Sequence, residues 1–136
     1  MPHSRAQDEA AINAVLADSY KAWEFGDADG MVADYTADAT AIMPGSLRDS
    51  RTVIAENTAM AFVGPLKGTS THNERLSLRF VGEDAAIVVS ESGILFPGET
   101  DVADTGKVNA TWVFEKRDGR WLIAACHNSP EPAPGR

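Results

Sequence analysis

Cysteine is almost absent from this chain: among 136 residues there is only Cys126. An intrachain disulfide is therefore excluded, and packing must hold the fold together. Basic residues are also scarce, with 12 Lys and Arg against 20 Asp and Glu, for a formal net charge of -8. Nucleic acid and anionic membrane surfaces both select basic patches, so neither suits this chain as a partner. No apolar run reaches the roughly 20 residues of a bilayer span. The opening MPHSRAQDEA lacks the apolar core of a signal peptide. These absences point together to the cytoplasm. Calcium, zinc and P-loop spacings are missing, as is a dinucleotide fingerprint, so no cofactor and no metal is expected.

What is present is an ordinary globular composition, 43% hydrophobic and 24% charged, and enough chain for one core. A single domain is expected over residues 8–130, with flexible ends at 1–7 and 131–136. Asp8 to Phe25 reads as a helix, with Ile12, Leu16, Tyr20 and Trp23 on one face, Ser19 on or beside it, and Gly26 as the stop. Asp27 can cap a short second helix running through Tyr35, with Met31, Val32 and Tyr35 turned inward. Ala39 to Met43 reads as a strand ended by Pro44-Gly45. Ser50 can cap a third helix, Arg51 to Val63, burying Val53, Ile54, Met60 and Ala61.

The period then changes to two. Strands are expected over Thr69 to Val81, with Leu76, Leu78 and Phe80 on one face, and over Ala85 to Phe96, Val108 to Arg117 and Arg120 to Asn128. Helices followed by a run of strands give an α+β fold, helices packed on one face of a curved sheet. Asp118-Gly119 is the strongest short hairpin signal in the chain. A regular ladder from that turn pairs Lys116 with Trp121, Phe114 with Ile123 and Trp112 with Ala125. The opposite parity pairs Val113 with Ala124, Thr111 with Cys126 and Asn109 with Asn128. In that register one face is bulky and aromatic, the other small and mildly polar. The small face, roofed by helices, leaves a cavity. The face of Trp112, Phe114, Trp121 and Ile123 then needs a second subunit to cover it, so a homodimer is expected.

Two stretches carry a resemblance: EFGDADGMVADYTADATAIMPGS, and AAIVVSESGILFPGETD with KVNATWVFEKRDGRWLIAACHNSP. They resemble the nuclear transport factor 2-like (SnoaL/ketosteroid isomerase-like) superfamily. The LFPGETD loop and terminal HNS look like its SgcJ/EcaC branch, found largely in natural-product settings. The resemblance implies a cone-shaped roll, a pocket between helices and sheet, and a dimer through the sheet's outer face. The best-understood enzyme on that fold is ketosteroid isomerase. Its general-base carboxylate falls at Met43 here, its first-helix tyrosine at Ser19 and its protonated aspartate near Thr111. All three are replaced, and a thioether cannot act as a base, so that chemistry does not carry over.

Glu91 is the candidate catalytic group. If it shares the pocket face with Ile87, Val89 and Leu95, burial would raise its pKa toward acid or base work. The alternative is a rim carboxylate paired with Arg75, Arg79 or Lys107. Asn128, Asn109 and Thr111 are candidate ligand contacts on the small face, joined by Tyr35, Trp23 and Ser19. By parity His127 faces away from Asn128, toward an interface or the rim, and His72 reads as a solvated strand start. Two functions follow. One is a cofactor-independent enzyme on a polyketide-like or cyclic apolar metabolite. The other is a carrier or accessory protein using the same pocket without turnover.

Overall fold

The computed structural model describes residues 5–103 and 106–131. Helix α1 (Arg5–Glu24) leads, followed by α2 (Ala28–Met31), strands β1 (Tyr35–Met43) and β2 (Ser46–Arg48), and helix α3 (Arg51–Phe62). Four long strands complete the chain: β3 (Ser70–Phe80), β4 (Ala85–Leu95), β5 (Lys107–Arg117) and β6 (Arg120–Pro130). The expected flexible ends fall largely outside the described residues. Within them, residues 5–7 are helical and Glu131 donates its N–H to the Lys107 carbonyl at 3.1 Å. No helix among the described residues is long and apolar enough to cross a membrane.

Local chemistry sets the helix boundaries. Gly26, at φ +66°, ends α1 in a left-handed residue, and Asp27 N–H closes back on the Ala22 carbonyl at 2.9 Å. The Asp27 carboxylate then caps α2 by accepting from Gly30 N–H at 2.9 Å. Ser50 caps α3 by accepting from Val53 N–H at 3.2 Å. Two expectations need correcting here. Tyr35 does not end α2; it opens β1, because α2 lasts a single turn. The buried face of α3 is Ile54, Thr58 and Phe62, whereas Met60 is 73% exposed.

The six strands form one mixed sheet in the order β2-β1-β6-β5-β4-β3. Only β1 and β6 run parallel; the other pairs are antiparallel. Strand β2 was not anticipated, since three residues carry no periodicity. It returns from β1 through Pro44-Gly45, where Gly45 has φ +76°, the geometry of a type II turn.

The Asp118-Gly119 bend is the expected two-residue turn. Both residues have positive φ, +51° and +78°, and Arg117 pairs with Arg120. Lys116 pairs with Trp121 and Phe114 with Ile123, as expected, but Val113 then pairs with Ala125. Ala124 is the extra residue of a β-bulge, and everything beyond it is shifted by one. Trp112 therefore faces Cys126, Thr111 faces His127, and Asn109 faces Ser129 rather than Asn128. A second bulge, between Arg75 and Ser77, sets Leu76 apart from Leu78 and Phe80 and leaves it 54% exposed.

The assignment of faces is reversed as well. Trp112, Phe114, Trp121 and Ile123 lie under the helices, at 9%, 0%, 4% and 0% exposure, and are not an outer dimer surface. The physical reason is that the helices gain most by covering the bulkiest face, at about 1.5–3 kcal/mol per large apolar side chain. Tyr20 meets Trp112 edge-on with ring centroids 6.2 Å apart. Trp121 donates its indole N–H to Asp8 of α1 at 3.0 Å, and Lys116 lies 3.4 Å from the same carboxylate oxygen. The open face carries Ile87, Val89, Val113 and Leu122, which alternate with buried neighbours along their strands.

Candidate functional site

Side-chain size falls along the covered face. Near the hairpin, Phe114, Trp121, Ile123 and Phe80 fill the space beneath α1. Farther along, the inward residues shrink to Ala41, Ala110, Ser90, Ser92 and Cys126. Helices α1 and α3 still roof this end, so the missing volume becomes a cavity of about 300 Å³. That is near the lower limit of ligand pockets. A depression of about 430 Å³ between α2 and α3, lined by Asp29, Val32, Arg51 and Glu56 among others, is larger but more open to solvent. The more enclosed space under the sheet is the better candidate site.

Its polar groups among the described residues are hydroxyls, indoles, amides and one guanidinium, several of them already hydrogen-bonded within the wall. Ser19, buried on α1, donates to the Met31 carbonyl at 3.0 Å, tying α1 to α2. Trp23 donates its indole N–H to Thr69 Oγ1 at 2.9 Å, and that hydroxyl donates in turn to the Leu66 carbonyl at 2.7 Å. Trp112 Nε1 donates to Ser90 Oγ at 3.3 Å, and Ser90 and Ser92 share a hydroxyl contact of 3.2 Å. Asn73 donates to Thr71 Oγ1 at 2.9 Å. Among the described residues the Asn128 amide donates only to the Met43 thioether sulfur, at 3.1 Å, a weak acceptor.

Three weak acids lie within electrostatic reach of one another in this wall, Tyr20, Tyr35 and Cys126. Burial pushes the Tyr20 phenol up to about 12, partly offset by Ser90. Burial also holds the Tyr35 phenol well above its usual range, with the Cys126 and Tyr20 charges adding to it and Ser19 opposing. The Cys126 thiol rises to about 11, again mainly by burial, with Arg48 and Tyr35 pulling it back. At neutral pH all three stay protonated, so the tyrosines are hydrogen-bond donors and the cysteine is not an activated nucleophile.

The structure brings together Ser19, Trp23, Tyr35 and Asn128 around the cavity. It separates the rest. Glu91 sits on the open face of β4, opposite Glu74 and Asn109, because Ala86, Val88 and Ser90 are the inward residues of that strand. Asn109 and Thr111 are exposed on the same open face, moved there by the reversal of faces. His127 is exposed and faces away from Asn128, as expected, and His72 is an exposed residue on the β3 ladder opposite Gly93. Arg48, Tyr20, Asn73 and Ser92 line the cavity without having been singled out as contacts. The Pro-Gly turn was the available signal for Arg48, since a tight return from β1 places Arg48 beside Ala41 on the same face.

A protein-family model for a SnoaL-like domain matches residues 12–134. No curated protein matches the chain. Among solved structures, a domain of unknown function with a cystatin-like fold from Nostoc punctiforme has a TM-score of 0.87 at 27% identity, over 94% of this chain and 80% of that one. An NTF-2-like protein of unknown function from Shewanella oneidensis has a TM-score of 0.76 at 20% identity, over 90% of this chain and 98% of its own. A provisionally assigned scytalone dehydratase from Novosphingobium aromaticivorans has a TM-score of 0.75 at 18% identity, over 94% and 87%. At those identities the last two speak to fold alone: three helices on a six-stranded mixed sheet, the cone shape of cystatin-like and NTF2-like proteins. By the extent of the match to the family model, the chain belongs to the SnoaL-like domain family.

Proposed function

We propose that this protein binds a small, largely apolar, cyclic metabolite of polyketide-like type, and acts as a carrier or accessory protein without acid–base turnover. The observation that carries this reading is the composition of the cavity wall. Among the described lining residues there is no carboxylate and no imidazole. Glu91, the residue on which the enzymatic alternative relied, lies on the far side of the sheet. The remaining acids, Tyr20, Tyr35 and Cys126, hold their protons through neutral pH. Such a wall can orient a ligand oxygen with fixed donors but has no base poised near neutrality. Placement in the SgcJ/EcaC branch is proposed on the LFPGETD loop and the terminal HNS alone.

The test is calorimetric binding of 2-naphthol, a neutral bicyclic probe. Ala61→Phe, on the cavity side of α3, should lower its affinity at least tenfold. Thr111→Phe, on the open face, should leave the affinity unchanged. Equal binding to wild type and Ala61→Phe would reject the cavity as the ligand site. We also propose a homodimer through the open face, around Ile87, Val89 and Val113, in place of the tryptophan face. A monomer mass by light scattering at micromolar concentration would reject it.

A further inference from the structure

Arg48 is the one cationic side chain of the cavity wall among the described residues. Four other arginines of this acidic chain sit beside carboxylates, Arg75 with Glu9, Arg117 with Glu115 and Asp38, Arg120 with Asp34, and Arg5 with Asp8, while Arg51 donates to the Tyr35 carbonyl at 3.2 Å and Arg79 is exposed. Arg48 has no carboxylate within ion-pair distance among the described residues. Among the described residues its guanidinium makes one long contact, Nε to Ser46 Oγ at 3.4 Å, which leaves its terminal N–H groups without a partner there. The side chain is half-buried, where an uncompensated charge is costly and an incoming anion is attracted more strongly than in water.

The register fixes what lies within its reach. Arg48 pairs with Ala41, which pairs in turn with Cys126, so all three share one row on the covered face. Ala41 is too short to block the guanidinium, which extends toward Cys126 closely enough for its charge to act on that thiol. Asn128 is two residues farther along β6, on the same face, with its amide N–H on a poor acceptor and its carbonyl without a donor among the described residues. A guanidinium with free terminal donors and an underused amide thus converge on one end of a mainly apolar cavity.

We propose that Arg48 binds a carboxylate of the ligand through paired N–H donors, with the Asn128 amide as a second contact. The ligand class is then a small mono- or bicyclic carboxylic acid whose ring lies against Trp23, Ile54 and Trp112. One cationic charge matches one carboxylate. A phosphate monoester, at roughly -1.5 to -2, would leave excess negative charge in a poorly hydrated space. Planar two-point recognition of a carboxylate is the chemistry at which arginine exceeds lysine.

This inference rests on the cavity reading above, and its test separates the two. Affinities of 2-naphthoate and methyl 2-naphthoate would be measured on wild type, Arg48→Met and Arg48→Lys. Wild type should prefer the acid by about 10- to 100-fold, the range for hydrogen bonds to charged groups. Arg48→Met should lose that preference, weakening the acid at least tenfold more than the ester, and an unchanged thermal melting transition would show that it is folded. Arg48→Lys should keep part of the preference. Equal binding of acid and ester to wild type would overturn the Arg48 assignment and leave the cavity reading standing. No binding of either would overturn both. Tighter binding of 2-naphthyl phosphate than of 2-naphthoate would overturn the carboxylate assignment.

Discussion

Deleting one alanine of the Ala124–Ala125 pair should be tolerated, although a one-residue deletion in a strand normally turns every later side chain to the wrong face. In the native ladder Ala124 has no partner: Phe114 pairs with Ile123 and Val113 with Ala125. Removing one alanine closes the bulge, leaves a regular ladder, and keeps Trp112 opposite Cys126 and Ala110 opposite Asn128. The loss is one small side chain and some local twist, about 1 kcal/mol, or roughly 4 °C in Tm for a domain of this size. Deleting Val113 is the contrasting case. It makes Trp112 and Phe114 neighbours in sequence, so one of them must leave the covered face at about 3–5 kcal/mol, the range of large-to-small changes in a core. Cys126 reports on the outcome because it is the only cysteine and is 5% exposed. Reaction with Ellman's reagent under native conditions should stay slow in the alanine deletion and approach the unfolded rate in the Val113 deletion. Rapid labelling of a folded alanine deletion, or a Val113 deletion as protected and stable as wild type, would refute the bulge as the device that sets these faces.

Other consequences follow from the same geometry. Asp8→Ala should destabilise the fold by about 3–5 kcal/mol, since it strips the buried partner from Lys116 and Trp121; denaturant midpoints would show it, and a loss under 1 kcal/mol would contradict the network. Stability should fall on the alkaline side. Cys126 rises from 9.0 to about 11 and Tyr20 from 10.0 to about 12. Above pH 9 the unfolded chain therefore sheds protons that the folded chain retains, and the stabilisation present below that pH is lost progressively up to about 11–12. Cys126 alone accounts for roughly 3 kcal/mol at about 1.4 kcal/mol per unit. Cys126→Ser should flatten the decline between pH 9 and 11, and an unchanged slope would contradict its burial.

Local signals carried most of the fold. Gly26, Asp27, Ser50 and Asp118-Gly119 each act within a few residues of themselves, and the structure puts the boundaries at or near where they point. The candidate site depended on longer-range choices. A bulge at two adjacent alanines leaves no mark in composition, because the extra residue is small and apolar like its neighbours. Which face the helices cover is decided by total side-chain volume, and that reverses the alternation read from the hairpin alone. Asn128 reached the cavity because the two errors cancel: the shift by one and the exchange of faces. Asn109, Thr111 and Glu91 lie on β5 and β4, where the bulge of β6 changes no parity, so the exchange alone carried them outside. Arg48 was hidden in a strand too short to show a pattern.

The most direct test of the account is where a bound ring sits relative to the two faces of the sheet. In 1H–15N correlation spectra titrated with 2-naphthol, the indole N–H signals of Trp23 and Trp112 and the side-chain amide of Asn128 should shift together, while the Asn109 side-chain amide and the His127 backbone stay in place. Shifts at Asn109 and His127 with unmoved indoles would put the ligand on the open face and contradict the covered cavity as the binding site.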